Sequence, residues 1–198
     1  MLDRMKCLGL LRERITKEIV VATYSTATDW LAIADRPLNY FSFGAMGLAS
    51  SHGLGLAIAH PDHRVLVFDG DGSLLMNLGT LVTATAVAPT NFVHVVWHNG
   101  TYEANGGHPL PSTSVRFAEL ARAAGYRKAL QISDMSAFET SLDAILSEDG
   151  PLFVELIVEQ GQLGPRSYAD MYSAERREAF RQAVKLEAGA SRHAGSLQ

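Results

Sequence analysis

The stretch "VLVFDGDGSLLMNLGTL" (65–81) decides the fold. Val65, Leu66, Val67 and Phe68 form an unbroken apolar run, the pattern of a strand buried on both faces. The run stops at Asp69-Gly70-Asp71-Gly72-Ser73, and apolar residues at helical spacing resume at once over 74–87. A second apolar strand, "FVHVVW" (92–97), follows and ends at His98-Asn99-Gly100. Downstream the pattern predicts helix 115–125, strand 127–132, helix 135–147, strand 152–158 and a last helix at about 173–187. Upstream, Met5, Leu8 and Leu11 mark a surface helix over 4–14. "EIVVATY" (18–24) is a short β-branched run that ends at the turn-like cluster Ser25–Asp29. "LNYFSF" (38–43) reads as a strand, and the small residues of 44–61 predict a tightly packed helix in the second half of that stretch. "GTYEANGGHPLP" (100–111) reads as a loop. Alternating helices and continuous apolar strands predict a doubly wound, mainly parallel α/β sheet with helices on both faces. One domain spans 1–188, and the polar tail 189–198 is expected to be disordered. In such sheets ligands bind beyond the carboxyl ends of the strands, where both "DGDGS" and "HNGTY" fall.

The composition narrows the function. Of 198 residues 47% are hydrophobic and 19% charged, a globular balance. A net charge of −4 argues against a nucleic-acid partner. The single cysteine, Cys7, can form no internal disulfide, which favours a reducing, cytoplasmic setting. No apolar run reaches the length of a membrane span, and the charged N-terminus lacks the pattern of a signal peptide.

Several chemistries compete for the acidic corner. It could be a plain strand-to-helix turn with Ser73 as the helix N-cap. A calcium loop fails, because Leu74 stands at its sixth position and Thr80 at its twelfth. The dinucleotide fingerprint fails at Leu75, and the other candidate, Gly53-Leu54-Gly55, fails at Ile58. No Walker A motif is present. The remaining reading joins two corners: parallel neighbours linked by one crossover helix bring Asp71 and Asn99 together. A carboxylate, an amide oxygen and the Thr101 carbonyl are hard oxygen donors suited to Mg²⁺, which completes its shell with phosphate and water. A helix starting at the same place favours an anion. The corner suits a metal–diphosphate.

"GDGSLLMNLGTL…HNGTY" resembles the diphosphate-binding motif of thiamine diphosphate (TPP) enzymes, which begins Gly-Asp-Gly and ends in Asn. The resemblance covers roughly 17–160 and is similar above all to the sulfopyruvate decarboxylase beta subunit and phosphonopyruvate decarboxylase. It implies TPP and Mg²⁺ as cofactors, with Asp71, Asn99 and the Thr101 carbonyl as metal ligands. Gly70, Gly72 and Ser73 would meet the diphosphate, as would Asn99 and Thr101 across the cleft. In "GAMG", Gly44 and Ala45 flank the cofactor, and the Gly44 carbonyl would accept from the aminopyrimidine amino group. Met46 takes the place of the apolar residue that props the bent cofactor, or else simply fills the core. Thr26 and Thr28 stand where hydroxyl residues touch phosphate, or serve as an N-cap. His108 replaces a family glutamine and is the candidate catalytic side chain, for binding an acidic group or moving a proton, unless it is a solvated loop histidine. His98, where relatives have Asp or Asn, reads as a strand-end residue without a special role, and His52 as a packing residue.

By resemblance the chain is a TPP- and Mg²⁺-binding subunit of a 2-oxo acid decarboxylase, a carboxy-lyase releasing CO₂ and an aldehyde through a thiazolium ylid. TPP enzymes also need a pyrimidine-binding domain with an activating glutamate, and no glutamate here has a matching context. An alpha-type partner subunit supplying that Glu is therefore expected, with self-association and a small anionic 2-oxo acid substrate. The alternatives are a carboligase subunit of acetolactate synthase type and a non-catalytic TPP-binding protein.

Overall fold

Eight strands form among the described residues. They are β1 (Ile19–Ala22), β2 (Asn39–Phe41), β3 (Val65–Gly70), β4 (Phe92–His98), β5 (Thr101–Tyr102), β6 (His108–Pro109), β7 (Lys128–Ile132) and β8 (Leu152–Ile157). The computed structural model describes residues 1–42, 44, 46–161 and 167–195, with side chains as far as residue 186. Six strands make one parallel sheet in the order β2-β1-β3-β4-β8-β7, and β5 pairs antiparallel with β6. The sheet is the doubly wound α/β architecture expected from the alternation.

The helices are α1 (Arg4–Arg14), α2 (Tyr24–Ile33), α3 (Ala49–Ala59), α4 (Asp71–Leu75), α5 (Gly79–Val87), α6 (Phe117–Ala124), α7 (Met135–Ser147), α8 (Tyr168–Met171) and α9 (Ala174–Gly195). Alternate residues of each buried strand face opposite layers. Val20, Leu66, Phe68, Val93 and Val95 pack against Leu8, Leu11, Trp30, Phe138 and Leu142 of α1, α2 and α7. Ile19, Val65, Val67, Phe92 and Val96 pack against Leu54, Leu81, Phe117 and Ala121 of α3, α5 and α6. The Trp30 ring meets Phe68 edge-on at 5.2 Å. Small residues let α3 approach the sheet: a Cβ on Gly53 would collide with Val67.

Four local expectations change. The cluster Ser25–Asp29 is not a turn but the body of α2, because Ala27 and Trp30 bury into the core. The helix expected at 74–87 begins at Asp71 and breaks between α4 and α5. There the Met76 and Asn77 N–H groups donate to Ser73 and Leu74, and the Asn77 side chain donates to Gly47 O at 3.0 Å. The loop 100–111 carries the short β5 and β6. Finally, α9 runs on to Gly195, past the expected end near 187.

Candidate functional site

The carboxyl ends of β3 and β4 lie side by side, with Asp69 opposite Val96 and Gly70 opposite Trp97. Beyond them opens a cleft of about 400 Å³, lined by the starts of α2 and α4, by Met46 and Trp97, and by the 99–104 segment. The first N–H groups of a helix have no intrahelical acceptor, so two helix starts at one cleft favour a negative ligand. Tyr24 opens α2 with φ +48, a left-handed conformation unusual for a bulky side chain. Such strain at a cleft wall is characteristic of functional sites.

Asp71 forms the floor and is 2% exposed. Its Oδ2 accepts from the Asn99 and Gly100 N–H groups at 2.9 and 2.7 Å, and its Oδ1 accepts from Gly72 N–H at 2.7 Å. One carboxylate thus staples the two strand ends. Burial pushes the Asp71 carboxyl above the usual carboxylate range, more than these three donors and the nearby His98 pull it down. A desolvated anion of this kind is stabilised by a cation. The Asn99 Oδ1 accepts from Thr101 N–H and Oγ1 at 2.9 and 3.0 Å. Its Nδ2 donates to Glu103 Oε2 at 2.9 Å.

Among the expected site residues, the cleft brings together Thr26, Met46, Gly70, Asp71, Gly72, Ser73, Asn99 and Thr101. Gly72 lies against Tyr102, where a Cβ would stand 2.5 Å from the ring, so no larger residue fits. Ser73 is not an N-cap, since α4 already starts at Asp71 with Gly70 in the cap position. Instead its Oγ accepts from Gly47 N–H at 3.0 Å and ties the loop carrying Met46 to α4. Neither Thr26 nor Thr28 caps α2; both lie inside it, and Thr28 Oγ1 donates back to Tyr24 O at 3.4 Å. Thr28, Gly44 and His108 are not part of the lining, and Gly44 and His108 are exposed. Ala45 lies outside the described residues.

Two features were missed. His98 is more than a strand end: its Nδ1 stands 2.7 Å from Oε1 of the fully buried Glu155. Burial disfavours its charged form, but Glu155 and the charge of Asp71 outweigh that, and His98 titrates above an ordinary histidine. The second is Arg4, which lines the cleft and pairs with Glu103 and Asp29. No spacing rule predicts a contact across 99 residues.

No group of three or more His, Cys, Asp or Glu side chains that could hold a metal exists among the described residues. A cation here would rely on the mixed set of the Asp71 carboxylate, the Asn99 amide oxygen and the Thr101 carbonyl, all hard donors that fit Mg²⁺ with phosphate and water completing the shell. The indole N–H of Trp97, buried at the cleft wall, has no partner among the described residues.

Fold and cleft define the class: a doubly wound α/β domain with its ligand site at the carboxyl edge of the sheet, floored by one buried carboxylate. More narrowly, the chain belongs to the thiamine pyrophosphate enzymes, since residues 23–156 match the family described as "Thiamine pyrophosphate enzyme, C-terminal TPP binding domain". It is 37% identical over 145 residues to phosphonopyruvate decarboxylase of Streptomyces hygroscopicus, covering 73% of this chain but 36% of that protein. It is 34% identical over 162 residues to sulfopyruvate decarboxylase subunit beta of Methanothermobacter thermautotrophicus, covering 81% of this chain and 84% of that subunit. The chain thus spans about a third of the phosphonopyruvate decarboxylase and most of the beta subunit. The thiamine diphosphate-dependent 4-hydroxybenzoylformate decarboxylase of Rhodococcus jostii RHA1 shares the fold, with a TM-score of 0.70 at 22% identity over 81% of this chain and 33% of that one. No helix among the described residues is long and apolar enough to cross a membrane.

Proposed function

We propose that this chain is the diphosphate- and Mg²⁺-binding subunit of a TPP-dependent 2-oxo acid decarboxylase of sulfopyruvate or phosphonopyruvate type. The observation that carries the reading is the convergence of buried Asp71 with half-buried Asn99 and Thr101 at one corner beneath two helix starts. Bound TPP would supply a carbon nucleophile and an electron sink for the pair left on carbon when CO₂ departs. The protein's own part is to hold and orient it. Asp71, the Asn99 oxygen and the Thr101 carbonyl would hold the metal. The N–H groups of Gly72 and Ser73, with the Ser73 hydroxyl and Thr26, would meet the phosphates. Met46, braced by the Gly47–Ser73 and Asn77–Gly47 hydrogen bonds, would wedge the cofactor from the side. Gly44 and Ala45 would border the aminopyrimidine. His108 and Thr28 stand outside the cleft lining, and a part for them rests on the resemblance alone.

The chemistry is completed by an alpha-type subunit carrying the activating glutamate, a reading supported by the "subunit beta" relatives. Self-association is supported by a charge-free segment: no charged residue occurs between Leu74 and Val93, and Met76, Val82 and Val87 of that segment are exposed. A second copy, offering the same apolar residues, is its natural cover. The lone, buried Cys7 goes with a cytoplasmic setting.

The test is to purify the chain alone and together with a pyrimidine-domain subunit encoded beside it. TPP binding is followed calorimetrically with and without Mg²⁺, and CO₂ release is assayed on sulfopyruvate, phosphonopyruvate and pyruvate. Mg²⁺-dependent TPP binding, with decarboxylation of an anionic 2-oxo acid only by the pair, is expected. Carboligation without aldehyde release would move the chain to the acetolactate type. Absence of TPP binding by either preparation would refute the reading.

A further inference from the structure

We infer that Glu103, clamped by Arg4, is a positioning residue that decides which end of the Asn99 amide faces the metal–diphosphate corner; the inference rests on the function proposed above. A carboxamide has two ends of nearly equal size, one donating and one accepting. A carboxylate paired with arginine only accepts. Glu103 is buried, and its Oε2 lies 2.9 Å from Asn99 Nδ2, so the amide nitrogen is committed to Glu103. Oδ1 is thereby turned toward Thr101, 2.9 Å from its N–H. The reversed amide would set oxygen against oxygen at Glu103 and nitrogen against the Thr101 N–H donor. Two hydrogen bonds would be lost together, while the Thr101 hydroxyl, which can accept as well as donate, could turn to keep the third.

Glu103 is itself held from both sides. Arg4 Nη1 and Nη2 donate to its two oxygens at 2.6 and 2.9 Å, and Arg4 Nε donates to Asp29 at 2.8 Å. Arg4 lines the cleft, yet both edges of its fork meet protein carboxylates. It is built to fix Glu103 rather than to receive an anion. The N-terminal segment secures Arg4 in turn. Leu2 bridges to Val158, donating to Ile157 O at 2.8 Å and accepting from Glu159 N–H at 3.0 Å. Gly161 closes over the pair, where a Cβ would stand 2.5 Å from Arg4 Nη2. Arg4 lies outside the 23–156 span that matches the family.

The inference is tested with Asn99→Asp, Glu103→Gln and the double variant, using the full chain and Mg²⁺ with TPP in the calorimeter. Asn99→Asp sets carboxylate against carboxylate and should weaken binding about a hundredfold, although Asp is the better metal ligand in isolation. Glu103→Gln removes that opposition and lets an amide donate to Asp at position 99, although the same nitrogen then meets Arg4 Nη1, so the double variant should recover part of the loss and bind about tenfold tighter than Asn99→Asp. Wild-type affinity in Asn99→Asp, or a folded double variant binding no better than the single one, would overturn the inference. A second measurement needs no variant of Glu103, no metal and no cofactor. In ¹⁵N-labelled wild-type chain, the side-chain amide signal that disappears in Asn99→Asp should be shifted downfield and protected from exchange. An amide exchanging at the rate of a free asparagine would also overturn it. Failure of wild-type chain to bind TPP would count against the proposed function alone, because the amide measurement still decides the role of Glu103.

Discussion

Replacing Asp71 with Asn separates the two jobs this side chain performs. The amide oxygen can take the place of Oδ2 and keep the bonds from Asn99 and Gly100, at 2.9 and 2.7 Å in the native side chain. The amide nitrogen then faces Gly72 N–H, and the 2.7 Å bond to Oδ1 is lost. A hydrogen bond to a charged acceptor contributes about 1.5–3 kcal/mol. Against that loss stands relief of a buried charge, since burial already drives the Asp71 carboxyl upward in the absence of a cation. The net cost to the fold should be about 0–2 kcal/mol, a fall in Tm of at most about 8 °C for a chain of this size. Metal binding loses its only charged ligand and should weaken at least about a hundredfold, or about 2.7 kcal/mol. Thermal melting and calorimetry with Mg²⁺ and TPP measure the two quantities on the same preparation. Mg²⁺-dependent TPP affinity within about threefold of wild type would refute the metal assignment. A melting temperature lower by about 15 °C would show that the carboxylate is there for the fold.

Met46→Ala should lower turnover of the assembled enzyme about tenfold or more while changing TPP affinity less than about threefold, because a half-buried wedge sets geometry rather than phosphate contacts. Equal losses in both would make it packing. Glu155 gives a pH signature. Burial raises its carboxyl pKa, but His98, the Ala118 N–H and Gln131 more than reverse this and hold it below the usual range. The folded pKa thus lies below the unfolded one, and the stability it lends is present above the unfolded value and lost as pH falls through the folded one. Glu155→Gln should cost about 1–3 kcal/mol at neutral pH and flatten the acid limb of a urea-unfolding series; parallel limbs would contradict this. The Cys7 thiol, pushed up to about 12 mainly by burial, should resist alkylation in the native chain and react at once in urea. Fast native labelling would show that α1 opens locally.

The strands were legible because buried parallel strands are written as uninterrupted apolar runs, as at Val65–Phe68 and Phe92–Val96, apart from His94. That exception is explained by Asp69, which lies 3.2 Å away in the neighbouring strand. Helix α7 was legible to the residue, because Asp134 caps its start at Ala137 N–H. The break between α4 and α5 was not, since it depends on Asn77 reaching Gly47, a contact made only after folding. Nor was the start of α2, where a tyrosine takes a backbone conformation its side chain disfavours. In the site, Asp71 and Asn99 could be paired from topology, because adjacent parallel strands must end together. Arg4 and Glu103 could not, since the partner of a lone arginine is chosen by packing. The resemblance also drew attention to Thr28, Gly44 and His108, which stand outside the cleft lining of this chain.

The bridge between Leu2 and Val158 has a practical meaning for anyone who treats the family's shared span as a transplantable module. A graft cut at residues 23–156 would carry Asp71, Asn99 and Thr101 into the new host but leave both halves of that bridge behind. Glu103 would arrive as a buried carboxylate stripped of its arginine, which costs several kcal/mol in comparable pairs. The recipient would inherit the ligands without the scaffolding that aims them. A chimera joined before Leu2 and after Gly161 carries both.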